Sequence, residues 1–259
     1  GFPQTHAIWH RVAERLRRRY ALVMPDLRGY GDLDKPDGPA DHSAYSKRAM
    51  ARDMLELMRG FGFERFFVCG HDRGARVAHR LALDAPNAVR ALVLLDISPT
   101  RTMYERTTME FARAYYHWFF LIQPAPLPER LIGADPIFYV RNKLGGWGSA
   151  GLELFDAAAL AEYERCASDG RAIHAMCEDY RAAATIDLEH DRADTSRRIE
   201  CPVHVLWGER GVVHRLFTPL EDWQAKAATR VTGRPLPSGH YLPEECPDLL
   251  AAEVETFLV

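Results

Sequence analysis

The chain has 259 residues, of which 47% are apolar and 27% charged, with a formal net charge of −3. That length suits one large α/β domain or a core carrying an insertion, and the apolar content excludes a disordered chain. The near-neutral balance excludes a nucleic-acid or anionic-membrane partner as the first reading, because the arginines are scattered and form no basic stripe.

Five cysteines, Cys69, Cys166, Cys177, Cys201 and Cys246, leave at least one thiol unpaired and form no CxxC motif. A reduced, cytoplasmic protein without a disulfide framework or structural zinc is expected. The longest apolar stretch, Tyr115–Ile122, is too short to span a bilayer, and no signal peptide is visible.

In chain order, the first strand candidate is Tyr20–Met24. A helical pattern over about Ala44–Gly60 follows, then a strand at Arg65–Cys69, a helix at Arg73–Leu83 and a strand at Ala91–Leu95. Strand–helix alternation at this spacing predicts a mostly parallel central sheet flanked by helices. The next stretch is rich in Ala, Tyr, Phe and Trp with helical periodicity, and is too long for a plain crossover. It is expected to be an inserted helical cap, residues 99–198, on a core made of residues 1–98 and 199–259. The polar run Asp187–Arg198 reads as the linker back to the core or as a solvated face. Strands at Val203–Trp207 and Thr229–Pro235 and a last helix at about Asp248–Phe257 complete the pattern.

The strongest local signal lies where the strand Arg65–Cys69 runs into Gly70-His71-Asp72-Arg73-Gly74 and then into a helix. This is a strand–turn–helix elbow of the G-x-nucleophile-x-G kind, with Asp in place of the more familiar Ser. Both glycines are expected to be needed by a strained turn with close backbone approach. The bland alternative makes Asp72 a helix N-cap. As a nucleophile, Asp implies different chemistry from Ser. A serine that displaced a leaving group from an alkyl carbon would form an ether, which water does not readily cleave. A carboxylate forms an ester, which activated water hydrolyses. Substitution at alkyl carbon, by dehalogenation or epoxide opening, is therefore expected.

In this architecture the nucleophile is followed by an acid and then a histidine. His240, after the last strand, occupies the base position. Asp96 at the end of the third strand and Glu209 after the fourth compete as its acidic partner, with Asp96 favoured because Gly211-Val212-Val213 offers no Asp. Arg73 and Arg76 share one face at the start of the helix after Asp72, where guanidinium groups suit a substrate carboxylate.

These segments carry a resemblance. Gly1-Phe2-Pro3-Gln4, Asp26–Gly31, Gly70–Arg76, Tyr116-His117-Trp118, Cys177-Glu178-Asp179-Tyr180 and Ser238-Gly239-His240 together resemble the fluoroacetate (haloacetate) dehalogenases of the α/β-hydrolase superfamily. The resemblance implies an α/β-hydrolase fold with Asp72 as nucleophile, His240 as base and Asp96 as its partner. It further implies carboxylate binding by Arg73 and Arg76 and halide binding by His117, Trp118 and Tyr180. The backbone N–H groups of Phe2 and Arg73 would form the oxyanion hole, and Trp147 would line the pocket. It implies a small haloacid substrate, no cofactor or metal, and a homodimer.

In this family pattern a His-Gly pair and preceding strands stand before Phe2. Here the chain opens at Gly1, so the first strands are expected to be missing from it. The nearest rival is an epoxide hydrolase, for which Tyr116, Tyr139, Tyr163 and Tyr180 are candidate proton donors. A wider-range haloacid or haloalkane dehalogenase and a non-catalytic hydrolase-fold protein complete the alternatives.

Overall fold

A computed structural model describes residues 1–258. Its sheet has four parallel strands in the spatial order β1 (Phe66–His71), β2 (Val89–Leu95), β3 (Val203–Gly208) and β4 (Val231–Leu236). Helices α1 (His10–Leu16) and α2 (Lys47–Gly60) precede the sheet, and α3 (Arg73–Asp84) joins β1 to β2. β2 reads VRALVLL and β3 VHVLWG, and both are buried nearly throughout, as strands covered on two faces must be.

The two-residue period of a strand decides which helix each side chain meets. Leu92, Leu94, Val203 and Val205 join one apolar cluster with α2 and α3. Their neighbours Val93, Leu95 and Leu206 join another with Val12 and Leu16 of α1 and with the C-terminal helix. Ser46 starts α2 by accepting a hydrogen bond from the Ala49 N–H, so the helix begins three residues later than its apolar periodicity suggests.

Between β2 and β3 the described chain forms α-helices joined by loops: α4 (Thr100–Glu105), α5 (Met109–Ala114), α6 (His117–Phe120), α7 (Leu127–Gly133), α8 (Pro136–Leu144), α9 (Ala157–Ala167), α10 (Gly170–Ala184) and α11 (Ile186–Ala193). After β3 come α12 (Val212–Leu216) and α13 (Pro219–Gln224), and after β4 come α14 (Leu242–Glu245) and α15 (Pro247–Phe257). Among the described residues no helix is long and apolar enough to cross a membrane.

Two expectations need correction. Much of the polar run Asp187–Arg198 is helix α11, not linker. Asp187 and Glu189 in its first turn and His190 and Arg192 in its last complement the helix dipole, which a purely compositional reading overlooks. Tyr20–Met24 is not a strand. Residues 20–27 run along a cavity of about 450 Å³ whose other wall includes Phe66–His71 of β1, and they make no ladder to it. A β-prone segment becomes a strand only when a partner backbone lies within hydrogen-bonding reach.

Candidate active site

The candidate site forms where the C-terminal ends of the strands meet the helical insertion. β1 ends at His71, and Asp72 makes the turn into α3 with φ +45°. That backbone conformation is costly for a residue with a side chain. Gly70 is required: a Cβ there would lie 2.7 Å from the Ala75 Cα. Gly74 is not, since a Cβ at that position would meet nothing within 4 Å, so only the first elbow glycine answers to a steric demand.

The Asp72 side chain makes no N-cap hydrogen bond to α3. Instead its Oδ2 accepts the Phe2 N–H at 2.8 Å. Burial works to raise the Asp72 carboxyl, but His240, Arg73, His71 and Arg76 outweigh it, and the group is held below the usual carboxylate range. Asp72 is thus a buried, ionised carboxylate with one oxygen occupied by a backbone donor. The Arg73 N–H opens α3, where a helix leaves its first donors free.

Asp96 follows β2, also at positive φ, +51°. Its Oδ1 accepts the Gly208 N–H at 3.0 Å, and its Oδ2 lies 2.6 Å from His240 Nδ1. A carboxylate can only accept, so Nδ1 carries the proton and Nε2 remains free to act as a base. Glu209 is exposed and is not the partner. Burial and the His240 charge push His71 well below the ordinary histidine range, so its neutral ring donates from Nε2 to the His240 carbonyl at 2.8 Å.

Arg73 and Arg76 are both buried. Arg73 spends its fork on Asp179 of α10: Nε to Oδ2 and Nη2 to Oδ1, each at 2.8 Å. Its Nη1 is buried without a partner, and its guanidinium lies 4.1 Å from the Tyr180 ring centroid. Burial opposes the Arg73 charge, but Asp179 more than compensates, so it stays protonated. Arg76 donates from Nη1 to Thr100 Oγ1 at 2.8 Å and to the Ser98 carbonyl, and its Nε is buried without a partner. Each arginine therefore keeps one guanidinium nitrogen unpartnered: Nη1 of Arg73, with two N–H groups, and Nε of Arg76, with one.

His117 and Trp118 on α6 and Tyr180 on α10 are buried and share one aromatic cluster with Phe2. Burial and the nearby Lys143 hold His117 well below its ordinary pKa, while burial and Asp72 hold Tyr180 well above its own. Both are therefore neutral, and His117 Nδ1 and Tyr180 Oη have no partner. Trp118 packs beneath Arg76, with the guanidinium 4.7 Å from its ring. Trp147, at φ +58°, stands 5.2 Å from the His240 ring and donates its indole N–H to the Ala114 carbonyl.

Sequence reasoning missed Asp179, Tyr115 and Lys143. Asp179 stands inside a quoted motif, but a lone acidic residue gives no sign of which base it will meet. Tyr115 has an unpartnered, buried hydroxyl and its ring stands 6.4 Å from that of His240, and its apolar neighbours made it look like packing. Lys143 is buried against the rings of Tyr116, Tyr139 and Trp147. Of the tyrosines weighed as proton donors, Tyr139 and Tyr180 have unpartnered buried hydroxyls; Tyr163 donates to Glu244 at 2.6 Å and Tyr116 is 40% exposed.

A buried carboxylate on a strained strand–helix turn, with an Asp–His pair from later strand ends, is α/β-hydrolase geometry. The chain belongs to the α/β hydrolase fold family, whose model matches residues 1–245. Among individual relatives, it is 48% identical to a fluoroacetate dehalogenase from Burkholderia sp. over 258 residues, covering all of this chain and 84% of that protein. It is 30% identical to a soluble epoxide hydrolase from Corynebacterium sp. (strain C12), covering 96% of this chain and 85% of that one. A solved structure from Nostoc sp. PCC 7120, an α/β hydrolase by its description, superposes with a TM-score of 0.98 at 54% identity, covering all of this chain and 88% of that one.

Proposed function

We propose that this enzyme hydrolyses the carbon–halogen bond of short α-haloacids, with haloacetates as the substrate class. The observation that carries the reading is the pair of buried arginines beside the Asp72 carboxylate, each with an unpaired N–H. An alkyl halide without a carboxylate gives them nothing to bind.

In the first step the substrate carboxylate sits on Arg73 and Arg76, and the Asp72 oxygen not bonded to Phe2 attacks the α-carbon opposite the halogen. The carbon–halogen bond breaks, the halide leaves toward His117, Trp118 and Tyr180, and Asp72 becomes an ester. Fluoride, small and strongly hydrated, needs aimed donors to leave, and neutral imidazole, indole and phenol groups supply them. In the second step His240 Nε2 takes a proton from water, which attacks the ester carbonyl. The oxyanion develops on Asp72 Oδ2, the oxygen that already accepts the Phe2 N–H, with the Arg73 N–H as the second donor. Asp96 stabilises the imidazolium; as the tetrahedral centre collapses, the bond from Asp72 Cγ to the ester oxygen breaks, the imidazolium returns its proton to that oxygen, and glycolate leaves. Residues 99–198 act as a cap: they supply the halide donors and Trp147, while the core residues 1–98 and 199–259 supply Asp72, Asp96 and His240.

Epoxide hydrolysis is the second reading. It is supported by the relative of that activity and by the unpartnered hydroxyls of Tyr115, Tyr139 and Tyr180. Measuring halide release from fluoroacetate and chloroacetate separates the two. Release of both, abolished by Asp72→Asn, is the expected result. Chloride without fluoride leaves the nucleophile in place and rejects the halide donors. No halide, with diol formed from an epoxide, moves the assignment to the second reading.

A further inference from the structure

A guanidinium beside a nucleophile is most simply expected to offer its fork to the substrate. Here the fork is already occupied. Asp179 is fully buried, and its carboxylate accepts Arg73 Nε and Nη2 at 2.8 Å each and the Tyr30 hydroxyl at 2.8 Å. Its Oδ1 also accepts Lys47 Nζ, and its own carbonyl accepts Arg73 Nη2 at 3.0 Å. Lys47 is buried as well, and its backbone N–H donates to Asp187 at 2.8 Å. Every fork donor of Arg73 except Nη1 is spent within this cluster.

We propose that Asp179 is a positioning residue that turns Arg73 so that it meets an anionic substrate through Nη1 alone, and that the carboxylate is bridged between Arg73 Nη1 and Arg76 Nε. This rests on the haloacid reading above. Two separate, rigidly held contacts fix the carboxylate in place and orientation relative to Asp72, whereas one mobile fork fixes it to a side chain free to swing. The α-carbon is then the one presented for in-line attack, which confines the substrate to acids bearing the halogen at that carbon.

Charge and geometry predict opposite results when Asp179 is changed. Asp179→Asn removes a negative charge from beside the pocket, so by charge alone an anionic substrate should bind better. If Asp179 works by positioning, the KM for chloroacetate should rise about tenfold, with a smaller fall in kcat, because Asn offers an N–H where Arg73 needs an acceptor. Lys47 left without Asp179 could unfold the single variant, so the double variant Asp179→Asn with Lys47→Met restores the net charge. Its KM should stay raised. Asp179→Glu keeps the charge, displaces it by one methylene, and should also raise KM.

A readout independent of turnover is the Arg73 Nε–H in a 15N spectrum, which should exchange slowly in the parent chain and quickly in Asp179→Asn. A KM that is unchanged or lowered in all three variants, or an Nε–H that keeps its protection without Asp179, overturns the proposal. A parent chain that releases no halide while its Nε–H protection depends on Asp179 overturns the haloacid reading and leaves the positioning of Arg73 standing.

Discussion

The two sides of the site treat their polar groups differently. On the sheet side the three groups to which the proposed chemistry falls are each held by a partner: Asp72 by the Phe2 N–H, His240 by Asp96, and Asp96 by the Gly208 N–H. On the insertion side the hydroxyls of Tyr115, Tyr139 and Tyr180 and the Nδ1 of His117 are buried with no partner at all. A buried polar atom left unpaired costs about 1–3 kcal/mol. Partnered groups have their protons and orientations set in advance, as nucleophilic and acid–base work requires. Unpartnered donors are poised for something that arrives and leaves, and a departing halide is such a thing. Strain follows the chemistry on both sides, since Asp72, Asp96 and Trp147 all stand at positive φ.

This contrast can be broken by mutation. The largest effect is expected from His240→Asn. It removes the base but not the nucleophile, so turnover should fall at least about a thousandfold. The protein should also gain the mass of one carboxymethyl group on Asp72 after exposure to chloroacetate, read by intact-protein mass spectrometry; no adduct would mean the ester route is wrong. Asp96→Asn comes next, with a loss on the order of a hundredfold or more, because Nδ1 then loses its obligatory acceptor and the base tautomer is no longer enforced.

Tyr180→Phe tests the insertion side and should be milder and selective. Fluoride release should fall by about ten- to a hundredfold and chloride release by less, since the smaller ion depends more on each aimed donor. Equal losses for both halides would show that Tyr180 shapes the pocket without stabilising the leaving group.

The smallest effect concerns stability and pH. Burial pushes Lys143 down from 10.5 to about 7. Its charged form is disfavoured in the folded protein, although the ring of Tyr116, 3.6 Å from its ammonium, offsets part of the cost. Below about pH 7 both folded and unfolded chains carry the proton and the cost is fully present. Between about 7 and 10.5 the unfolded chain binds more protons, so this contribution to stability improves as pH rises. Lys143→Met should therefore stabilise the protein by about 1–2 kcal/mol at about pH 6, with the gain shrinking toward about pH 10, measured by urea unfolding.

Much of this was legible in the sequence, because local chemistry determines it. Strand, Gly70, Asp72 and helix follow one another within a few residues, and Gly70 answers to a contact with Ala75 five positions on. The order of Asp72, Asp96 and His240 along the chain follows from strand ends that all point one way in a parallel sheet. What tertiary structure alone decided were the pairings between distant segments. Asp96 rather than Glu209 reaches His240, although Glu209 follows β3, the strand that pairs with β4: Asp96 is buried against the His240 ring and Glu209 is exposed. Residues 20–24 have strand composition but no ladder, since pairing needs a neighbouring backbone. The Arg73 fork closes on Asp179, 106 positions away, and leaves only Nη1 for a substrate. A sequence shows which groups can carry charge and donate protons. Which acceptor each donor finds depends on where the folded chain brings its carboxylates, and that is settled only in three dimensions.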